Sequence, residues 1–383
     1  MAKNIIFCAD GTWNNPDNIA DGIDDSTNVD KLFSLLQGSV ISNTKFLDST
    51  GDILELEKSV GEGAATQQIA KYINGVGNSK NKIKKLLGGS FGAGLVERIV
   101  RGYTFISRNY ALGDRIYIIG FSRGAYTARA LAGMIAHQGL LNNKFNRNSS
   151  QAYEMGTCAW YRYRQSVKGG FSLFDFASAI TNFDMPAYFK AGSMDPNAFL
   201  PISSIECVAV WDTVGSMGIP NYDAIEQKLV DNFRFADTKL STTVQLGLHA
   251  IALDEQRLLF TPTLWERANN VKQMVFPGGH SDVGGGYLEK GLSDAALQWM
   301  INELSTRSVQ FVSLTDKLKP NPGAAGHQEW RNFVDGKGIR VFDPNMGLLA
   351  HSSVDARKLL AAVPHHLGEA PKQYSPGNWP PTI

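Results

Sequence analysis

The chain contains few cysteines, no long hydrophobic run and almost no net charge. Its three cysteines lie far apart, at Cys8, Cys158 and Cys207, so they suggest neither a disulfide framework nor a cysteine-based zinc site. No apolar run approaches the roughly 20 residues that a membrane-spanning helix needs. Thirty-seven Lys and Arg balance 36 Asp and Glu to a net charge of +1, which is not the footprint of a nucleic-acid-binding protein.

The amino terminus also lacks the features of a cleaved secretory signal. Residues 1–10 carry one early lysine and an apolar run that is too short for such a signal. We therefore expect a protein that is cytoplasmic as synthesised, and its export would need a secretion apparatus that requires no cleaved signal peptide. With 43% hydrophobic residues, the chain can bury a large core, and we expect residues 1–383 to form a single catalytic domain.

Four short apolar runs, each followed by a polar or glycine-rich loop, indicate the fold class. They cover residues 5–9, 116–119, 205–211 and 271–276. Helical spacing of apolar residues over about 95–111 and a small-residue helix over about 125–137 surround the second run. Strands that alternate with helices in this way predict an α/β protein with a mostly parallel sheet flanked by helices.

An insertion between the second and third of these runs is rich in aromatic residues. It spans about 141–204, and we predict that it forms a cap or lid over the functional site. Its aromatic residues include Tyr153, Trp160, Tyr161, Tyr163, Phe171, Phe174, Phe176, Phe183, Tyr188 and Phe189. Such residues would suit an acyl chain, although aromatic clusters more often form ordinary core.

The second run leads directly into a glycine-flanked serine, Gly120-x-Ser122-x-Gly124. A serine on a sharp turn between a buried strand and a helix is held with its hydroxyl exposed, and side chains at the flanking positions would clash. A bare match to this pattern is weak evidence. The apolar run before it and the alanine-rich helix after it supply the required context, so we predict that Ser122 is a nucleophile.

A nucleophilic serine needs a base and a carboxylate that orients the base. Asp212 and His280 each follow a predicted strand and occur after Ser122 in the order acid, then histidine. His280 lies among five glycines, which permit close backbone approach. His249 lies in a stretch that looks helical and is interpreted as a packing residue, whereas His351 is kept as a candidate neighbour of the site.

Donors for a developing oxyanion can be placed on two loops. The backbone N–H of Arg123, the residue after the nucleophile, is one donor by construction of the turn. The second is expected from the loop after the first strand, at Gly11 or Thr12. Asp10 in that loop and Asp282 near the base are expected to support these groups. No cofactor or metal ion is expected.

Other chemistries fit parts of the pattern. A metal-dependent hydrolase could use Asp10, Asp212, His280 and Asp282, since all four follow predicted strands, but it would leave the serine turn unexplained. An aspartyl-phosphate phosphatase would need its nucleophilic carboxylate at position 8, where the chain has Cys8. Residues 88–94 are rich in glycine, as phosphate-binding loops are. They lack the Gly-Lys-Ser/Thr sequence that ends such a loop. A non-enzymatic scaffold or toxin-like role also stays open.

Four motifs together resemble a known family. They are Asp10-Gly11-Thr12-Trp13-Asn14, Gly120-Phe121-Ser122-Arg123-Gly124-Ala125, Val210-Trp211-Asp212-Thr213-Val214-Gly215-Ser216 and Gly279-His280-Ser281-Asp282-Val283-Gly284-Gly285-Gly286-Tyr287. They occur in family order, and the chain from about residue 3 to 351 resembles the α/β-hydrolase family that contains the first class of type VI secretion phospholipase effectors.

This resemblance implies an α/β-hydrolase-like fold and a triad at Ser122, Asp212 and His280. It implies a serine esterase or lipase, most simply an A-type phospholipase that acts on membrane glycerophospholipids as an antibacterial secreted effector. The implied partners are a phospholipid or other acyl-ester substrate, a transiently bound membrane surface, a secretion apparatus and an immunity protein. The family also includes uncharacterised cytoplasmic hydrolases, so an esterase with a non-lipid substrate stays an alternative.

Overall fold

A computed structural model gives the three-dimensional arrangement of most of the chain. The structure describes residues 2–11, 25–48, 51–75, 91–145, 148–168, 175–176, 179–180, 184–214, 238–332 and 337–379. Of the predicted site residues, Thr12 lies outside these ranges. Trp13, Asn14, Gly215 and Ser216 of the family-like motifs also lie outside them.

The described elements alternate between strands and helices over most of the chain. The strands are β1 (Asn4–Ala9), β2 (Ser39–Asp48), β3 (Gly51–Val60), β4 (Gln68–Ile73), β5 (Arg115–Phe121), β6 (Leu140–Leu141), β7 (Phe199–Leu200), β8 (Cys207–Trp211), β9 (Gly247–Ala252), β10 (Val271–Phe276) and β11 (Leu348–Ala350). The α-helices are α1 (Asn28–Leu35), α2 (Phe91–Asn109), α3 (Arg123–Gln138), α4 (Ser149–Lys168), α5 (Met185–Lys190), α6 (His280–Gly284), α7 (Gly291–Ser305) and α8 (Ser352–Leu359). Short 3₁₀ turns cover Gly63–Ala65, Asn143–Phe145, Ala191–Ser193, Pro196–Ala198, Leu258–Phe260, Glu329–Asn332 and Pro344–Met346.

Nine of the described strands form one sheet, in the order β11-β10-β9-β8-β5-β1-β4-β3-β2. The pairs from β11 to β4 are parallel, and β3 pairs antiparallel with both β4 and β2. The expected α/β-hydrolase-like fold, a mostly parallel sheet flanked by helices, is confirmed. The antiparallel edge, β2 to β4, lies in a stretch whose polar and glycine-rich sequence does not predict strands.

Strand β1 shows how the sheet faces two apolar layers. Its alternate side chains Ile5, Phe7 and Ala9 belong to a core with helices α2, α3 and α4, whereas Ile6 and Cys8 belong to a second core with α1 and α7. All five are fully buried. Side chains that are apolar on both faces are typical of a strand in the middle of a parallel sheet.

The described part of the 141–204 insertion packs against the helical layer. Helix α4 contacts α2 and α3, and Trp160 and Tyr161 of α4 join the same core as Tyr103 of α2. Tyr188 of α5 meets the Tyr161 ring edge to face at 5.5 Å. These aromatic residues thus form core contacts, and the suggestion that the insertion also covers the site stays a prediction.

One local prediction is wrong. Residues around His249 look helical but form strand β9, in which all six residues are buried. Small residues (Gly247, Ala250 and Ala252) allow this central strand to be covered closely on both faces. In addition, among the described residues no helix has the length and hydrophobicity to cross a membrane.

Candidate active site

Ser122 occupies a strained turn between strand β5 and helix α3. Its φ is +56° and its ψ is −119°, a conformation that non-glycine residues rarely adopt. The Ser122 amide donates a hydrogen bond to the carbonyl of Trp211 (3.1 Å), at the end of the neighbouring strand β8. This bond brings the serine turn beside the loop that carries Asp212.

Two glycines make the turn sterically feasible. A Cβ atom at Gly120 would lie 2.2 Å from the carbonyl oxygen of Gly124, and a Cβ atom at Gly124 would lie 2.0 Å from the carbonyl oxygen of Ala9. Both distances are far below van der Waals contact. The glycines flanking Ser122 therefore allow α3 to begin directly against β1 and β5, which is the geometric reason for the sequence motif.

Asp212 and His280 form a buried pair at the same edge of the sheet. Asp212 follows β8, His280 begins α6 after β10, and the Asp212 Oδ2 and His280 Nδ1 atoms are 2.6 Å apart. Asp212 is completely buried, and its φ of +35° is again strained. The Asp212 Oδ1 atom also accepts a hydrogen bond from the amide of Ala252 (2.9 Å).

Arg340 is a partner of this pair that the sequence did not predict. Its guanidinium is bidentate to Asp212, with Nη1 2.7 Å from Oδ1 and Nη2 2.9 Å from Oδ2. Burial raises the pKa of the Asp212 carboxyl, but Arg340 and His280 outweigh that effect and hold the pKa well below its usual range. Asp212 is therefore ionised throughout the neutral pH range.

The His280 ring lies between two aromatic side chains. The ring centroid of Phe121, the residue before the serine, is 4.6 Å from that of His280, and the Phe260 ring meets it edge-on at 4.9 Å. Burial lowers the pKa of His280, while the hydrogen bond and charge of Asp212 act in the opposite direction. The net lowering favours the neutral imidazole, which can accept a proton at neutral pH.

The loop after β1 approaches the serine turn closely. A Cβ atom at Gly11 would lie only 3.3 Å from Cβ of Ser122, so the backbone of this loop lies against the serine. The Gly11 amide, however, donates to Oδ1 of Asp10 (2.6 Å). Of the two candidate donors in this loop, Gly11 is thus already engaged, and Thr12 lies outside the described residues.

Asp10 supports this loop from a buried position. Besides the Gly11 amide, its carboxyl accepts hydrogen bonds from the hydroxyls of Tyr72 (2.6 Å) and Thr27 (2.7 Å). Burial raises the pKa of Asp10 to about 7, although these donors oppose the rise. Asp10 therefore ties the loop to β4 and to the start of α1.

The two remaining candidates stabilise neighbouring backbone. Asp282 accepts from the amides of Gly279 (2.8 Å) and His327 (2.9 Å) and pairs with His327 Nδ1 (2.7 Å), so it fixes the turn that presents His280. His351 stacks on the ring of Phe276 and accepts from the Ser353 amide at the start of α8. Their functional importance stays a prediction.

The geometry gives little support to the metal-dependent alternative. Asp212 is paired with Arg340, Asp10 accepts hydrogen bonds from hydroxyl and amide donors, and Asp282 is hydrogen-bonded to His327. Across the part of the chain that the structure describes, no three His, Cys, Asp or Glu side chains are grouped so that they could hold a metal ion. The proposed ligand set is thus divided among separate partners.

A family model matches most of the chain. It is described as the T6SS phospholipase effector Tle1-like catalytic domain, and it matches residues 3–303, which include Ser122, Asp212 and His280. The chain belongs to this family. The description of the family names a phospholipase effector, so membership supports a hydrolase.

Two individual proteins are also similar to this Tle1-like domain. An uncharacterized protein of Saccharomyces cerevisiae is 30% identical over 268 residues, which are 68% of this chain and 33% of that protein. The crystal structure of an uncharacterized protein from Pseudomonas aeruginosa covers 83% of this chain and 47% of its own, at 19% identity and a TM-score of 0.42. The chain thus spans about a third and about half of the lengths of these two proteins.

Proposed function

We propose that this Tle1-like domain is a serine hydrolase that cleaves carboxylic esters, with Ser122 as nucleophile, His280 as base and Asp212 as the acid. The observation that carries the proposal is a strained, glycine-flanked serine whose neighbour Phe121 packs against the His280 ring and whose amide bonds to Trp211, next to Asp212 of the buried Asp–His pair. Membership of a phospholipase family supports the ester as the reacting group.

In the proposed reaction, His280 accepts the proton of the Ser122 hydroxyl as that oxygen attacks the ester carbonyl. Asp212 fixes the imidazole tautomer through Nδ1 and stabilises the imidazolium that forms. The Arg123 amide and an amide of the loop after β1, at Gly11 or Thr12, stabilise the oxyanion. For Gly11 this role requires its amide to exchange Asp10 for the oxyanion. The alcohol leaves with the proton from His280, and water then hydrolyses the acyl-enzyme by the same steps.

The proposed substrates are membrane glycerophospholipids cleaved at an acyl ester, which is A-type activity. This part of the proposal rests on the family. The aromatic side chains of the insertion pack in the hydrophobic core, so they do not indicate one substrate class over another. The biological setting proposed with it is a secreted antibacterial effector. Its partners would be a membrane surface, a secretion apparatus and an immunity protein.

The test is incubation of the protein with vesicles of mixed phospholipids, followed by mass analysis of the products. Free fatty acid and lysophospholipid are expected from the wild type, and Ser122→Ala should abolish both. Ser107→Ala is the matched control, because Ser107 is another buried serine, on helix α2, whose hydroxyl accepts from the Leu141 amide. Release of phosphorylated head groups, or undiminished activity in Ser122→Ala, would contradict the proposal. Hydrolysis of small esters without any lipid hydrolysis would favour a non-lipid esterase.

A further inference from the structure

Arg340 makes four hydrogen bonds around the acid of the proposed triad. Besides its two bonds to Asp212, Nη1 donates to the carbonyl of Ala252 (2.6 Å) and Nη2 donates to the carbonyl of Phe260 (2.5 Å). The side chain is buried, with 7% of the residue exposed. The guanidinium therefore links Asp212 to the end of β9 and to the loop that places Phe260 against the His280 ring.

We propose that Arg340 is a positioning residue of the triad, which orients Asp212 and sets the pH range over which His280 acts as a base. The proposal rests on the serine mechanism proposed above. It also extends the catalytic unit beyond the family match, which ends at residue 303. The carboxy-terminal part of the chain would thus supply a group on which the chemistry depends.

The geometry explains why arginine suits this position. Each oxygen of Asp212 meets one Nη atom, so the planar fork fixes the plane of the carboxylate as well as its place. That plane directs Oδ2 at His280 Nδ1 and Oδ1 at the Ala252 amide. A lysine would keep the charge, but it would lose the paired geometry.

The backbone of Arg340 is held in place as well. The side-chain amide of Asn378 donates to the Arg340 carbonyl (3.1 Å) and to the Leu253 carbonyl (3.0 Å). Segment 337–342 is thereby attached to the strand that ends beside Asp212. The positions of the guanidinium and of the triad acid are consequently coupled through both backbone and side chain.

The charges around His280 define the electrostatic part of the proposal. Asp212 and Arg340 face its Nδ1 side, Glu255 Oε2 accepts from the His280 amide (3.1 Å), and Arg257 is paired with Glu255 (2.8 Å). Asp282, on the same helix, is paired with His327. Removal of Arg340 alone leaves the Asp212 charge uncompensated, so the imidazolium form of His280 is stabilised and the base is neutral only at higher pH.

The size of this effect follows from Coulomb's law. Two cations that share one carboxylate are roughly 5–6 Å apart, and at an effective dielectric constant of about 20 their repulsion changes the protonation equilibrium by about 100-fold. Because relaxation reduces this value, the acidic limb of the kcat/KM profile is expected to rise by about one to two pH units in Arg340→Met.

The experiment compares Arg340→Met, Arg340→Lys and Arg357→Met with the wild type. Hydrolysis of a soluble p-nitrophenyl ester is measured from pH 5 to 9, and thermal unfolding reports folding. Arg357 is a matched control, because it is another buried arginine that donates to backbone carbonyls, those of Pro322, Ala324 and Pro364. Its substitution removes a buried guanidinium without removing a partner of Asp212.

Arg340→Met is expected to lose about 10- to 100-fold in kcat/KM at acidic pH and much less at pH 9. Arg340→Lys should keep the wild-type acidic limb but show a lower kcat, and Arg357→Met should keep the wild-type limb. A folded Arg340→Met protein with the wild-type profile would overturn the inference. If Arg340→Met does not fold, an Arg340→Lys protein with wild-type kcat would overturn it instead.

Failure of the underlying mechanism would look different. In that case the wild type itself would not hydrolyse the ester, or Ser122→Ala would retain full activity in the same assay. Arg340 is tested only against a wild type whose ester hydrolysis depends on Ser122, so the two failures are distinguishable.

Discussion

Replacement of Asp212 by asparagine should reduce activity and stability together, because one buried carboxylate serves both His280 and Arg340. In Asp212→Asn the His280 imidazole loses its tautomer control, which in serine hydrolases costs about 10⁴ in kcat. Arg340, at 7% exposure, is left as a buried cation without its anion, and breaking a buried pair in this way costs about 3–5 kcal/mol.

The two losses can be separated by a second substitution. In the double variant Asp212→Asn/Arg340→Met the orphaned charge is gone, so we expect more than half of the lost unfolding free energy to return while activity stays low. Urea unfolding can be followed by tryptophan fluorescence, since Trp211 lies next to Asp212 in the chain. Ser122→Ala is the control that should lose activity with little loss of stability.

Two results would refute this reasoning. If Asp212→Asn and the wild type had the same midpoint of urea unfolding, the Asp212–Arg340 pair would not contribute to stability as the geometry indicates. If the double variant were less stable than either single variant, Arg340 would stabilise the fold through its carbonyl bonds rather than through Asp212.

Three further predictions concern the turn, the base and the first loop. Gly124→Ala places a Cβ atom 2.0 Å from the Ala9 carbonyl oxygen, so we expect a loss of about 1–3 kcal/mol in unfolding free energy and about 100-fold in kcat. Gly192→Ala, whose Cβ would meet only Gln165 Oε1 at an ordinary contact distance of 3.9 Å, should change neither. Because burial lowers the pKa of His280, the acidic limb of the wild-type kcat/KM profile should lie below pH 6.5, and a limb above pH 7.5 would contradict this. The folded-state pKa of Asp10, about 7, exceeds its unfolded value of 3.8, so its contribution to stability is greatest at low pH and is lost as the pH rises to about 7. Thermal scans from pH 5 to 8 should therefore show a smaller decline for Asp10→Asn than for the wild type, and equal declines would refute the assignment.

The parts of the site that follow strands could be predicted from the sequence. Each of four apolar strands is followed, directly or within a few residues, by a candidate site residue. The strands β1, β5, β8 and β10 precede Asp10, Ser122, Asp212 and His280, respectively. Because the carboxyl ends of parallel strands lie at one edge of the sheet, these residues are expected to lie close together. The glycines around Ser122 have a local steric cause, so a local pattern could reveal them.

Other features depend on contacts that no local pattern contains. Arg340 is 128 residues from Asp212 in the chain, and nothing in its neighbourhood distinguishes it from a surface arginine. The sequence of strand β9 looks helical because it is rich in small residues rather than β-branched ones. These residues allow close packing in the interior of the sheet, where tertiary contacts outweigh local propensity. The β2–β3 hairpin is an edge with many polar side chains, so the alternation that marks a half-buried strand is weak there.

The central claim is that Ser122 is an activated nucleophile, and covalent labelling tests it most directly. Treatment with a fluorophosphonate, followed by peptide mass mapping, should place one phosphonyl group on Ser122 in the wild type. Labelling should be absent in Ser122→Ala and strongly slowed in His280→Ala. An unlabelled Ser122 in a folded protein that still hydrolyses phospholipid, or equal labelling with and without His280, would contradict the account.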